Sequence, residues 1–213
     1  MSNNLNAQKA LIFRILHRRN IPWMLDHGVH CGSSTTRDPN YVSIGNAELI
    51  AKRTSRSITV HPHGTLDDYV PFYFTPYSPM LLNIKTGYNG ITRRANEDIV
   101  ILVSSLHRLR ELQLPFVFSD RHAFLNTARF SADIADLDRI DWKILQERNF
   151  KRDLNDLQKM DRYQAEALVF RRLPVEALLG AACYNGTVGA ELEAEIKKRS
   201  LNLRVLVQPS WYF

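Results

Sequence analysis

DRYQAEALVFRRLP, residues 161–174, is the stretch from which the rest of the chain is read. Tyr163, Ala165, Ala167 and Val169 alternate with Gln164, Glu166, Leu168 and Phe170, the spacing of a strand with two distinct faces. Gln164 and Glu166 then point the same way, on the same side as Leu168 and Phe170. A carboxylate in so apolar a surround is costly unless it has partners or a task. The plain alternative is an edge-strand glutamate facing water. What separates the two readings lies elsewhere in the chain.

Working upstream, residues 98–104 (DIVILVS) read as a buried strand, and SSLHRLREL after them as an amphipathic helix capped by Ser105. PFVFSD, residues 115–120, is a further strand that delivers Arg121, His122 and Asn126 into a long connection. That connection carries Arg129, Lys143, Arg148, Lys151 and Arg152 among Phe130, Trp142 and Phe150. Helical periodicity in ADLDRIDWKILQE marks residues 119–163 as a structured insertion, placed to recognise a second substrate. Downstream, PVEALLG is expected as a short helix from Pro174 to Gly180 and AACY as a strand. A helix capped by Thr187 is expected to follow, then a last strand over residues 202–209.

At the other end, residues 1–8 read as a polar arm and residues 10–17 (ALIFRILH) as a buried strand. Asn20 is an N-cap for the helix IPWMLDHG, which Gly28 closes in a left-handed conformation. His17 falls between strand and helix start, either as a ligand contact or as an ordinary core histidine. Residues 31–43 form an irregular loop. In SIGNAELIAKR, Gly45 bends the chain, Asn46 caps a two-turn helix and Arg53 stands at its end. His30, Cys31, His61 and His63 match no standard zinc spacing, and no metal is expected. YVPFYFTPYSPMLL, residues 69–82, gives a strand that Pro76 and Pro79 break into a stiff turn. Its rings precede Lys85, Arg93 and Arg94, so Phe72, Tyr73 and Tyr77 are open to two readings: aromatic core, or a stacking platform for bases or nicotinamide.

The bulk numbers bound the answer. A chain of 213 residues, 45% hydrophobic and 23% charged, suits one well-packed domain spanning residues 1–213. No apolar run approaches the ~18 residues of a membrane span, and residues 1–10 lack the pattern of a secretory leader. Two cysteines fit a reducing cytoplasm, and a net charge of +6 favours a polyanionic partner. With no repeats or linkers, the fold class is α+β.

Three blocks carry a family resemblance: FRILHRRNIPWMLDHGVHCG, then SIGNAELIAKR with GTLDDYVPFYFTPYSPML, then DRYQAEALVF, with SWYF closing the chain. Together they resemble the DarT-type DNA ADP-ribosyltransferases, toxins of DarT–DarG toxin–antitoxin systems, over essentially the whole chain. The resemblance implies an ADP-ribosyltransferase fold with a split central sheet and an inserted substrate-recognition region. It further implies NAD as co-substrate, a base in single-stranded DNA as acceptor, thymine rather than guanine, and a DarG-type macrodomain antitoxin as partner of a monomer. Residue by residue, it makes Glu166 and Arg53 catalytic and gives His17 an NAD-side role that Arg14 could share. Asn20, Tyr73 and Thr75 are grouped with them on the NAD side. Gly45, Asn46, Arg93, Arg94, His122, Arg148 and Arg152 are grouped on the DNA side. The chain departs from the commoner ADP-ribosyltransferase pattern at Phe74-Thr75-Pro76, where an S-T-S stretch would be sought, which leaves the nicotinamide contacts open. Two competing readings stand beside this one: a non-enzymatic single-strand binder, which gives Glu166 no purpose, and an ADP-ribosyltransferase acting on protein or RNA.

Overall fold

Seven consecutive buried residues, Ile99–Ser105, form the strand about which a large mixed sheet is assembled. β-Branched side chains dominate it, as suits a strand covered on both faces. The computed structural model describes residues 4–213. In chain order the strands are β1 (Leu11–His17), β2 (Val29–His30), β3 (Tyr69–Tyr73), β4 (Ile99–Ser105), β5 (Phe116–Ser119), β6 (Phe130–Ser131), β7 (Glu166–Phe170), β8 (Arg172–Leu173), β9 (Gly180–Cys183) and β10 (Arg204–Val207). The helices are α1 (Ile21–His27), α2 (Ala47–Lys52), α3 (Pro79–Thr86), α4 (Leu106–Glu111), α5 (Trp142–Glu147), α6 (Lys159–Tyr163) and α7 (Gly186–Lys198).

Eight strands make one sheet in the order β10-β9-β4-β1-β3-β7-β5-β6, and β2 pairs with β8 in a small second sheet. Among the described residues only β9 and β10 run parallel. β1 is paired with β4 from Leu11↔Ser105 to His17↔Ile99, but meets β3 at one register pair, Phe13↔Tyr73. The sheet is therefore all but split between β1 and β3, and Arg14, Tyr73 and Glu166 face one cavity at that split. On the far side β3 and β7 are fully zipped, so Tyr69, Pro71 and Tyr73 lie opposite Phe170, Leu168 and Glu166 on one shared face.

Several local expectations are corrected. β7 begins at Glu166, because Lys159–Tyr163 winds into α6 and Gln164 ends that helix with Nε2 donating to Met160 O. Gln164 and Glu166 are not companions on one strand. Asn20 occupies the N-cap position of α1 in a helical conformation and makes no cap bond; its amide instead pairs both ways with the Val42 backbone, at 2.9 and 2.8 Å. Gly28 has φ 81° but extended ψ, outside the left-handed helical well. Thr187 lies inside α7, whose cap is Asn185. Gly180 opens β9 rather than closing a helix, and a 3-10 turn, Val175–Ala177, stands before it. Pro79 starts α3 instead of breaking the chain: Ser78 caps the helix by accepting from Leu81 N, and proline suits the first helical turn. Of the proposed polar arm, residues 1–3 lie outside the described residues, while Leu5 is buried in the core.

A small second core of Ile58, Leu66, Tyr69, Val117, Ala123 and Leu168 sits under the segment between α2 and β3. It fixes that segment to the β3–β7–β5 side of the sheet.

Candidate active site

Arg53 reaches the sheet because of how α2 begins and ends. Asn46 accepts from Leu49 N at 2.9 Å, starting a helix of under two turns, and a 3-10 turn, Arg53–Ser55, follows directly. The arginine is delivered toward β7, where its Nη1 donates to Glu166 Oε2 at 3.1 Å and its Nη2 to Leu66 O at 3.3 Å. Glu166 is only 4% exposed. Its other oxygen accepts from the Ala123 backbone N–H at 3.0 Å, and its own N–H donates to Ser119 Oγ. Both carboxylate oxygens thus hold a donor, and each has lone-pair capacity for one more. His122 Nδ1 stands 3.7 Å from Glu166 Oε1. The same nitrogen accepts from Phe124 N at 3.2 Å, and at 3.7 Å its approach to Glu166 is not a hydrogen bond.

These residues line one wall of a cavity of about 640 Å³ that opens at the split of the sheet. This is within the size range of cofactor sites. Arg14 enters from β1, with Nη1 donating to Pro71 O at 2.8 Å. Its Nε is buried with no partner among the described residues, and burial lowers the guanidinium pKa from its ordinary value. Tyr73 faces the same space, and burial together with the Glu166 charge pushes its phenol pKa well upward. Asn20, Gly45, Asn46 and His122 complete the sequence-derived residues found on the wall.

The others lie elsewhere. His17 is an odd number of residues from Arg14 and so projects from the opposite face of β1. It is 4% exposed, and its Nδ1 accepts from Arg19 N. Thr75 is buried and its hydroxyl accepts from Tyr77 N, shaping the turn after β3. Phe72 is core, and Tyr77 is covered by Phe213 at a ring separation of 3.8 Å, so these two form no open stacking platform. Arg148 binds Ser210 O and the Tyr77 ring. Arg93 and Arg152 are exposed, Arg94 is partly buried, and none of the three reaches the cavity.

Sequence reasoning missed several wall residues. Met80 belongs to α3, for which Ser78-Pro79 was the available signal. Trp23, His30 and Tyr41 had no local signature. Behind the wall, the Ala123 N–H that holds Glu166 is a backbone group and left no signature either. No group of three or more His, Cys, Asp or Glu among the described residues is arranged to hold a metal.

Comparison with known proteins gives this geometry its context. The profile of a family described as "DarT: ssDNA thymidine ADP-ribosyltransferase" matches residues 13–213. A DNA ADP-ribosyl transferase of Escherichia coli O127:H6 is 51% identical over 212 residues, covering 100% of this chain and 97% of that protein. The structure of Thermus sp. 2.9 DarT in complex with ADP-ribosylated ssDNA superposes with a TM-score of 0.89 at 30% identity, over 97% of both chains. The same Thermus protein in complex with NAD+ gives 0.83 at 30% identity, over 97% of this chain and 98% of that one. With Arg53 and Glu166 joined at the mouth of a split sheet and the match running from β1 to the last residue, the chain belongs to the DarT family of single-stranded DNA thymidine ADP-ribosyltransferases.

Proposed function

We propose that this chain transfers ADP-ribose from NAD+ to a thymine base in single-stranded DNA, with Glu166 and Arg53 at the reacting centre. The observation that carries the assignment of residues is the buried Arg53–Glu166 pair on the wall of the cavity. The bond between nicotinamide nitrogen and ribose C1 breaks, and its electron pair leaves with nicotinamide. Positive charge develops on the ribose, and the Glu166 carboxylate, held by Arg53 and the Ala123 N–H, stands ready to stabilise it. Its free lone pairs orient a ribose hydroxyl. A thymine ring nitrogen then bonds to C1, and its proton passes to the carboxylate, because a neutral imide is a poor nucleophile until deprotonated. Arg14, partly buried and with a buried, unpaired Nε, supplies a fixed positive charge for the diphosphate of NAD.

Loops and helices around the split supply the rest. Tyr73 and Asn20 belong to the NAD side of the wall; Gly45, Asn46 and His122 belong to the acceptor side. Arg93, Arg94, Arg148 and Arg152, outside the cavity, are assigned to the DNA track, and residues 119–163 to acceptor recognition. His17 and Thr75 support the NAD wall from behind. A DarG-type macrodomain protein is the expected antitoxin, on the family resemblance. The enzyme acts as a monomer in the cytoplasm, where its two free, buried cysteines are at home. No helix among the described residues is long and apolar enough to cross a membrane.

Incubation with NAD+ and mixed single-stranded oligonucleotides, followed by intact-mass measurement, tests the reading. One ADP-ribose should appear on thymine-containing strands and not on thymine-free ones, and duplexes should react far less because they hide the base edge. Modification of protein or RNA in place of DNA would sink it.

A further inference from the structure

The 3-10 turn after α2 presents a second arginine whose side-chain hydrogen bonds all go to one loop. Arg56 Nη2 donates to Leu125 O at 2.9 Å, Nη1 to Asn126 Oδ1 at 3.3 Å and Nε to Ala123 O at 3.5 Å. Its guanidinium also lies 5.9 Å from the Phe130 ring. The N–H of the same residue, in the preceding peptide group, donates to Glu166 Oε1. At the loop's other end His122 N donates to Asp161 O on α6. One short segment of chain therefore sends Arg53 to the carboxylate itself and Arg56 to the backbone that supports the same carboxylate. Ala123 is fully buried, and Arg56 does not line the cavity.

We propose that Arg56 is a positioning residue for the transfer reaction, holding the segment from His122 to Asn126 so that the Ala123 N–H meets Glu166. The proposal rests on the role given to Glu166 above. A loop carbonyl has no side chain of its own with which to fix its direction, and a planar guanidinium that binds several acceptors at once fixes it. Small losses of alignment at a reacting centre are expensive in rate, up to ~100-fold for about 1 Å.

Arg56→Gln and Arg56→Lys are compared with the unaltered enzyme for kcat, for KM toward NAD+ and toward a single-stranded thymine oligonucleotide, and for Tm. The expected result for Arg56→Gln is a fall in kcat on the order of 10- to 100-fold, with both KM values and Tm nearly unmoved. Arg56→Lys should recover part of the loss, since an ammonium can serve one of the three acceptors. An unchanged kcat for Arg56→Gln overturns the proposal, and so does complete recovery in Arg56→Lys, which would make charge alone sufficient. A raised KM for the oligonucleotide at normal kcat also overturns it, making Arg56 a DNA contact. If Arg56→Gln does not fold, Arg56→Lys decides: lowered kcat at native Tm supports positioning, and normal kcat refutes it. Glu166→Gln is measured alongside; if it keeps normal activity, the assignment of Glu166 fails whatever Arg56 does.

Discussion

Arg53 and Glu166, 113 residues apart in sequence, close a 3.1 Å ion pair in which the two side chains are only 12% and 6% exposed. Burying both charges is costly, and the pair holds because further donors and acceptors, Ala123 N–H and Leu66 O, complete it. Removing one partner should therefore be worse for stability than removing both. Arg53→Ala is expected to lose about 3 kcal/mol, and Arg53→Ala combined with Glu166→Gln should recover part of that. Glu166→Gln alone leaves Arg53 buried without its counter-charge, so it should lose some stability, although its amide oxygen can still accept from Arg53, and should lose on the order of 100-fold or more in DNA modification. Denaturant unfolding and intact-mass assays measure both; additive stability losses would show that the two side chains are not coupled.

Gly45 allows a separation of wall shape from folding. A Cβ there would stand 2.7 Å from Ile50 Cδ1, the end of a flexible side chain that is 44% exposed and free to swing aside. Gly45→Ala should cost little in Tm. Gly45→Asp places a carboxylate on the same cavity wall as Arg53, where it competes with Glu166 and repels phosphate. About a tenfold loss in kcat/KM, equivalent to about 1.4 kcal/mol, is the expected attenuation. A collapse of Tm in both variants would make the Gly45–Asn46 corner purely structural.

His17 couples stability to pH. Burial lowers its pKa, with Arg94, Arg19 and Arg18 adding to the shift and Asp98 opposing it. The unfolded chain's histidine titrates near ~6.5. Above that pH both states are neutral, and His17 makes no contribution to pH dependence. As pH falls through that value the unfolded state takes up a proton that the folded state resists, so stability declines. Tm should drop between pH 7.5 and 5.5, and less steeply in His17→Asn, whose amide oxygen can still accept from Arg19 N. Identical slopes in the two proteins would remove His17 from the account.

The positions of Arg53 and Glu166 in the fold were legible in the sequence to an unusual degree, and the reasons are local. Asn46 and a helix of fixed length put Arg53 where it stands, and the alternation from Glu166 to Phe170 gives the glutamate its face. What the sequence hid is the competition at segment ends. Tyr163 to Ala165 satisfy a strand pattern and a helix end equally well, and α6 prevailed because Arg162 is held by Asp141 and Asp156 and Tyr163 packs on Phe150. The aromatic run was open to two readings because composition alone does not tell a buried ring from a displayed one. Phe213, from the far end of the chain, is what covers Tyr77. Arg14 and Arg148 look alike in sequence, yet one enters the cavity and the other binds the Ser210 carbonyl, a distinction made only by which strand or loop end carries each.

Arg93 and Arg94 follow α3, and α3 contributes Met80 to the cavity wall, so a strand whose base enters the cavity would pass near them. Arg93 is exposed and Arg94 partly so, while Gly87, left-handed at φ 76°, turns the chain between helix and arginines. Contacts to phosphate depend on salt through released counterions, with a slope of about 0.7 per neutralised phosphate on a single strand. Charge reversal at Arg93 and Arg94 together should therefore flatten the salt dependence of oligonucleotide binding by roughly 1.4 log units per tenfold salt and weaken modification at low salt. NAD+ affinity should stay nearly unchanged, since neither residue lines the cavity. Calorimetry with NAD+ and binding isotherms across a salt series read the two quantities independently. Loss of NAD+ binding would move these arginines to the donor side, through the contact that Arg94 N makes with Ile84 O under α3. If neither quantity moves, they belong to a solvated basic face and the DNA track runs elsewhere along residues 119–163.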